Sequence, residues 1–211
     1  MENQNKILVL APHTDDGELG CGGAISKFLE EGKVVHYAAF SIAEKSVPEG
    51  YPKDILEKEV KNATQKLGIN PENLKIMKFP VREFAKYRQD ILEEMIKIKK
   101  EIQPDLVFIP SSFDIHQDHK VIHEEALRAF KHSCILGYEF IWNNFSFNSS
   151  SFVVINEEHL NNKIQALKMY ESQSDRFYTT DESLRGLAKY RGLQIGSSYA
   201  ESFEVIRWII R

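Results

Sequence analysis

The sequence predicts an α/β fold of three layers, with a mainly parallel sheet and helices on both faces. Two apolar runs, ILVLAPH (7–13) and DLVFIPSS (105–112), show little alternation and read as strands buried on both sides. Strands alternate with helical periodicity along the chain, which implies right-handed crossovers between parallel strands. The two richest polar clusters, around residues 13–23 and 114–119, each directly follow one of those runs. Ligands in such folds gather at the strands' C-terminal ends, so the two clusters are placed to share one crevice of a Rossmann-like sheet.

The first strand ends near His13 and gives way to a loop rich in Asp and Gly. Leu19, Ala24, Phe28 and Leu29 then recur at helical spacing over 19–31, and Gly32 stands where a helix C-terminus would place it. VVHYAAFS (34–41) reads as a second strand, and 42–53, with Pro48, Gly50 and Pro52, as a surface loop. A helix over 54–67 closes at Gly68, and a short strand lies near 74–79. Residues 82–102 carry the 3.6-residue recurrence Ile91, Leu92, Met95, Ile98 and Ile102 of a long amphipathic helix, which Pro104 ends. After the strand at 105–112 comes a helix over 118–131. Further on, YEFIW (138–142) and SFVVI (151–155) read as strands, 157–170 as a helix and FEVIRWII (203–210) as a terminal strand.

With 42% hydrophobic and 27% charged residues over 211 positions, the composition is that of one globular domain, 1–211. The net charge of −4 offers no overall basic footprint for nucleic acid. The lysines of KIKKE (97–101) read as a solvated helix face. Cys21 and Cys134 lack metal-type spacing and read as free thiols. The polar start MENQNK and the short apolar run behind it suit neither a signal peptide nor a membrane span, so a cytoplasmic location is expected.

In APHTDDGELGCGG, His13 and a carboxylate of Asp15 or Asp16 can supply hard and borderline metal ligands from one turn, leaving the other carboxylate for base work on an activated water. The bland alternative is that the aspartates cap the next helix and the glycines turn the chain. A dinucleotide-binding reading is the weaker rival, because the glycines sit inside the helix start and do not match G-x-G-x-x-G. In FDIHQDHKVIH, a spacing of three puts His116 and His119 on one helical face, and Asp118 can orient an imidazole. Here the alternative is an N-capping Asp118 with surface histidines. His123 and His132 have no carboxylate partner in sequence and are expected to be non-functional. Together the clusters hold the ligands, base and acid that a hydrolytic metal site needs.

At these residues the chain resembles the PIG-L/LmbE family of zinc-dependent de-N-acetylases. That family carries a His-Pro-Asp-Asp-Glu run, a Leu-Gly-x-Gly-Gly stretch and, later, His-x-Asp-His. The resemblance spans at least residues 6–130, with Thr14 in place of the proline and Gly17 in place of the glutamate, Glu18 following one place later. It implies that His13, Asp16 and His119 hold zinc, with ferrous iron the alternative, and that Asp15 is the general base. It further implies that His116 stabilises the oxyanion and protonates the leaving amine while Asp118 orients it. Arg82 resembles a family arginine near the pocket and could bind a hydroxyl or anionic substituent, the alternative being a surface arginine at a helix start; YAESF (199–203) resembles a stretch of family members, with no role for Tyr199 or Glu201. The implied substrate is a small N-acetylglucosamine-type amino sugar or conjugate, and a homo-oligomer stays open. Two other readings stand beside it: a non-catalytic sugar- or nucleotide-binding module, and a metal-dependent hydrolase of another bond.

Overall fold

The structure is a computed structural model that describes residues 5–210. Seven strands form one sheet: β1 (Lys6–Ala11), β2 (Val34–Ala39), β3 (Leu74–Ile76), β4 (Leu106–Pro110), β5 (Cys134–Tyr138), β6 (Ser151–Ile155) and β7 (Tyr199–Arg207). Their order is β3-β2-β1-β4-β5-β7-β6, and β1 to β5 are parallel, whereas β7 runs antiparallel to both β5 and β6. Six helices cover it: α1 (Asp16–Glu30), α2 (Ile55–Leu67), α3 (Arg88–Ile102), α4 (Gln117–Ala129), α5 (Glu157–Leu167) and α6 (Asp181–Leu193).

Alternate residues of β1 feed two cores, which is why its sequence is apolar throughout. Ile7, Val9 and Ala11 pack with α1, α2, α5 and α6, while Leu8 and Leu10 pack with α3 and α4. Three layers result, as the sequence predicts. The order runs outward from β1 through β2 to β3 on one side and from β4 to β5 on the other, so the switch point lies between β1 and β4. Both polar clusters leave the sheet there.

Four local expectations are corrected. The helix expected from residue 82 begins at Arg88, because Arg82 is left-handed (φ 67°) and Phe84–Tyr87 form a 3₁₀ turn. The strand expected at 138–142 lies earlier, at Cys134–Tyr138, where it pairs with β4 along its whole length. The terminal strand spans Tyr199–Arg207 and not 203–210, and α6, absent from the sequence reading, starts on a Thr180 cap whose hydroxyl accepts from the Ser183 amide. No helix among the described residues is long and apolar enough to cross a membrane.

α1 is broken at Cys21 (φ −147°, ψ 24°), and a buried ion pair fills the break. Lys163 Nζ donates to the Leu19 carbonyl (2.7 Å) and to Glu201 Oε1 (2.6 Å). Glu201 in turn accepts from the amides of Gly23 (3.1 Å) and Ala24 (2.7 Å), and so caps the second half of the helix. The close approach requires glycine: a Cβ on Gly23 would stand 2.8 Å from Ile155 Cδ1 and 3.2 Å from the Glu201 carboxyl. The glycine stretch and YAESF are thus two sides of one joint.

Candidate metal centre and active site

The loop from β1 to α1 carries His13, Asp15 and Asp16, and the loop from β4 carries His116 to the start of α4, where its imidazole Nδ1 accepts from the Asp118 amide (3.2 Å). Three atoms converge between the loops. His13 Nδ1 lies 3.1 Å from Asp16 Oδ2, His119 Nε2 lies 3.3 Å from His13 Nδ1, and His119 Nε2 lies 3.3 Å from Asp16 Oδ2. Ligands about 2.0–2.1 Å from a tetrahedral zinc stand about 3.3 Å apart, so the triangle has the edge that such an ion needs.

The outer nitrogens agree with that use. His13 Nε2 donates to Asp118 Oδ2 (3.0 Å) and His119 Nδ1 to Asp114 Oδ2 (2.6 Å), which leaves lone pairs on the two inward nitrogens. Asp16 Oδ2 is steadied by the His13 amide (2.7 Å). His116 brings a nitrogen within 4.8 Å of those on His13 and His119 and is a rival third ligand. Its triangle is looser, and its Nδ1 is already taken by the Asp118 amide. Of the two groups, His13, Asp16 and His119 form the tighter triangle, and the three imidazoles form the looser one.

Charge follows the geometry. Burial would lower the His119 imidazole, but the Asp16 and Asp114 carboxylates raise it to about 10. Burial likewise opposes charge on His13, yet Asp16 and Asp118 leave it raised. Asp16, which burial alone would raise, is held well below the usual carboxylate range by His119 and His13. In the metal-free chain the protons on these imidazoles thus balance an anionic cradle, the charge a divalent cation would carry. His116 goes the other way: burial, then the neighbouring His119 and His13, lower it to about 4. A cation in the triangle would push it further in the same direction. Asp15 is raised by burial and by Asp16.

A cavity of about 280 Å³ opens on this centre. Asp15, His116 and Arg82 all line it, with Trp142, Gln173, Arg176 and Tyr178 from the second half of the chain. Trp142 and Tyr178 stack at 3.9 Å and 14°, and Phe140 continues the stack towards His119. Arg176 Nη1 donates to the Tyr178 hydroxyl (2.6 Å) and lies 3.6 Å from Asp15 Oδ2. Glu59 anchors this wall by accepting from the Ser172 amide and hydroxyl (2.9 and 2.6 Å).

The candidate site residues His13, Asp15, Asp16, Arg82, His116, Asp118 and His119 all lie at this centre, but one contact differs from expectation. Asp118 does not place its carboxylate on His116. It turns to His13 and accepts from the amides of Arg82 (2.6 Å) and Phe84 (3.3 Å). That pull explains the left-handed Arg82, whose guanidinium donates to Ser46 Oγ (3.3 Å) across the cavity mouth. Sequence reasoning gave Asp114 no role, although its carboxylate directly follows a buried strand. It missed Glu18 as well: the hydroxyls of Tyr37 and Tyr170 reach both the Thr14 carbonyl (2.8 and 2.7 Å) and the Glu18 carboxyl (2.5 and 3.0 Å). Burial lifts Glu18 to about 8, so it is a neutral brace for the metal loop. Gly17 replaces the family's glutamate because a Cβ there would stand 2.3 Å from the Tyr37 ring. His123 is taken up by the Pro110 carbonyl (2.9 Å).

A metal-binding group at the switch point of a doubly wound sheet, with a carboxylate and an imidazole beside it, defines the class of metal-dependent hydrolases. Within that class the chain belongs to the PIG-L family (GlcNAc-PI de-N-acetylase), which it matches over residues 8–130, and it is a hydrolytic N-deacetylase. It is 27% identical over 173 residues to the uncharacterized deacetylase YaiS of Escherichia coli, covering 79% of this chain and 90% of that one. N,N'-diacetylchitobiose deacetylase from Pyrococcus horikoshii shares the fold at a TM-score of 0.81 and 23% identity, over 97% of this chain and 85% of that one. So does GalB, the 4-carboxy-2-hydroxymuconate hydratase of Pseudomonas putida, at a TM-score of 0.80 and 18% identity over 98% of each chain. The fold thus hosts more than one chemistry.

Proposed function

We propose that the protein is a zinc-dependent deacetylase that removes the acetyl group from an N-acetylglucosamine-type amino sugar or conjugate, releasing acetate and a free amine. The observation that carries this is the His13–Asp16–His119 triangle with edges of 3.1–3.3 Å, its imidazoles each held from behind by a carboxylate. When bound there, zinc supplies Lewis acidity for the hydrolysis.

The chain's own groups do the rest. Asp15, buried at the cavity floor and raised by that burial, takes the proton of the attacking water. His116 is neutral, and because its Nδ1 accepts an amide hydrogen its proton sits on Nε2, where it donates to the developing oxyanion. That fills half the role the family resemblance implies for it. The proton for the leaving amine is assigned to Asp15, which has just received one. Arg82 and Arg176 bracket the mouth and orient the sugar's hydroxyls or an anionic substituent, and the Trp142–Tyr178 stack offers an apolar face to the ring.

The test is acetate and amine release from a panel of N-acetylglucosamine conjugates by the zinc-loaded protein and its Asp15→Asn variant. Release by the wild type alone is the expected result. Equal release by both would remove Asp15 from the chemistry, and release by neither would remove the substrate class.

A further inference from the structure

The buried carboxylate of Asp118 serves two loops at once. Its Oδ2 accepts from His13 Nε2 (3.0 Å) and from the Arg82 amide (2.6 Å), while its Oδ1 accepts from the Phe84 amide (3.3 Å). Asp114, the carboxylate behind the other ligand imidazole, stays within its own loop, taking the His119 ring (2.6 Å) and the His116 amide (2.8 Å). The His13 side of the metal centre is therefore tied to the cavity rim in a way that the His119 side is not.

The rim turn depends on that carboxylate. Arg82 holds φ 67°, a left-handed conformation that glycine adopts freely and that strains a residue with a side chain. The amide hydrogen bonds to Asp118 offset the strain, and the turn they fix presents Val81 and Arg82 to the catalytic cavity. We propose that Asp118 is a positioning residue that couples the metal centre to this turn. An ion held by the inward nitrogen of His13 fixes the ring, the ring fixes Asp118 Oδ2, and the same oxygen fixes the backbone that carries Arg82. The proposal rests on the metal-site reading and is independent of the substrate. Coupling of this kind is reciprocal: the factor by which the metal orders the turn is the factor by which the ordered turn tightens the metal.

The experiment reads metal binding and loop order rather than turnover. Amide hydrogen exchange at Arg82 and Phe84 is followed in the full chain with and without saturating zinc. Zinc affinity is measured by chelator competition in the wild type, in Arg82→Pro, which loses the amide and cannot adopt the left-handed turn, and in Arg82→Ala, which keeps both. Zinc should slow exchange at the two amides about tenfold, and Arg82→Pro should bind zinc about tenfold more weakly, the lower end of what an outer partner of a ligand histidine contributes. Arg82→Ala should bind zinc as the wild type does. Exchange indifferent to zinc at both amides, full zinc affinity in Arg82→Pro, or an equal loss in Arg82→Ala would overturn the coupling while leaving the metal site intact. If Arg82→Pro does not fold, the exchange measurement on the wild type decides alone. A wild type that binds no zinc would overturn the metal site and the coupling together.

Discussion

The two halves of this chain contribute in different ways. Residues up to about 130 hold every group proposed for the metal or the reacting bond, set on two neighbouring strand ends. Residues beyond 133 hold none of these, yet they supply Trp142, Gln173, Arg176 and Tyr178 to the cavity and the Lys163–Glu201 pair to the broken helix. The first half therefore determines what reaction is possible, and the second determines which molecule reaches it and how firmly the first is held.

Substitutions test that division. The largest effect should come from Asp15→Asn in the first half. Loss of a general base lowers kcat by about 10²–10⁴-fold, and metal content, read by atomic absorption, should be unchanged. In the second half, Lys163→Met leaves Glu201 buried and unpaired, an error worth about 3–5 kcal/mol. Urea denaturation should show that loss, and a variant as stable as the wild type would mean that the pair does not hold the helix break.

Smaller effects sharpen the picture. Asp114→Asn removes the charge behind His119 and should weaken metal binding about 10–100-fold in chelator competition, in line with other carboxylates behind ligand histidines. Metal must displace the proton from His119, whose imidazole is raised to about 10, and at lower pH also that on His13, which is raised too, so apparent affinity should climb with pH by at least about tenfold per unit below pH 10. A flat profile between pH 6 and 8 would show that His119 is already neutral. The smallest effect belongs to the second half's wall: Trp142→Ala should raise KM by about fivefold, a stacking contact's worth, with kcat nearly constant.

What was legible in the sequence follows the same division. β1 and β4 are buried on both faces, so their apolar runs stand out, and the polar residues directly after them had to lie at the sheet's edge. That places His13, Asp15, Asp16, His116 and His119 in one crevice before any coordinates. Two of the partnerships were not legible because they span much of the chain: Asp118 reaches His13 across 105 positions and Glu201 reaches Gly23 across 178. Spacing in H-x-D-H suggests a local pairing that the fold overrides. α6 escaped notice because it buries few apolar side chains, chiefly Leu184 and Ala188. The aromatic stretch at 138–142 read as a strand, but past Tyr138 it leaves the sheet and its Phe140 and Trp142 stack towards the cavity.

The geometry points to Asp16, rather than His116, as the group that completes the metal site with His13 and His119. Zinc content per chain, measured after dialysis on folded Asp16→Ala and His116→Ala variants, tests it most directly. One zinc per chain is expected in the wild type and in His116→Ala, and little or none in Asp16→Ala. Retention in Asp16→Ala with loss in His116→Ala would replace the triangle by three imidazoles and contradict the assignment.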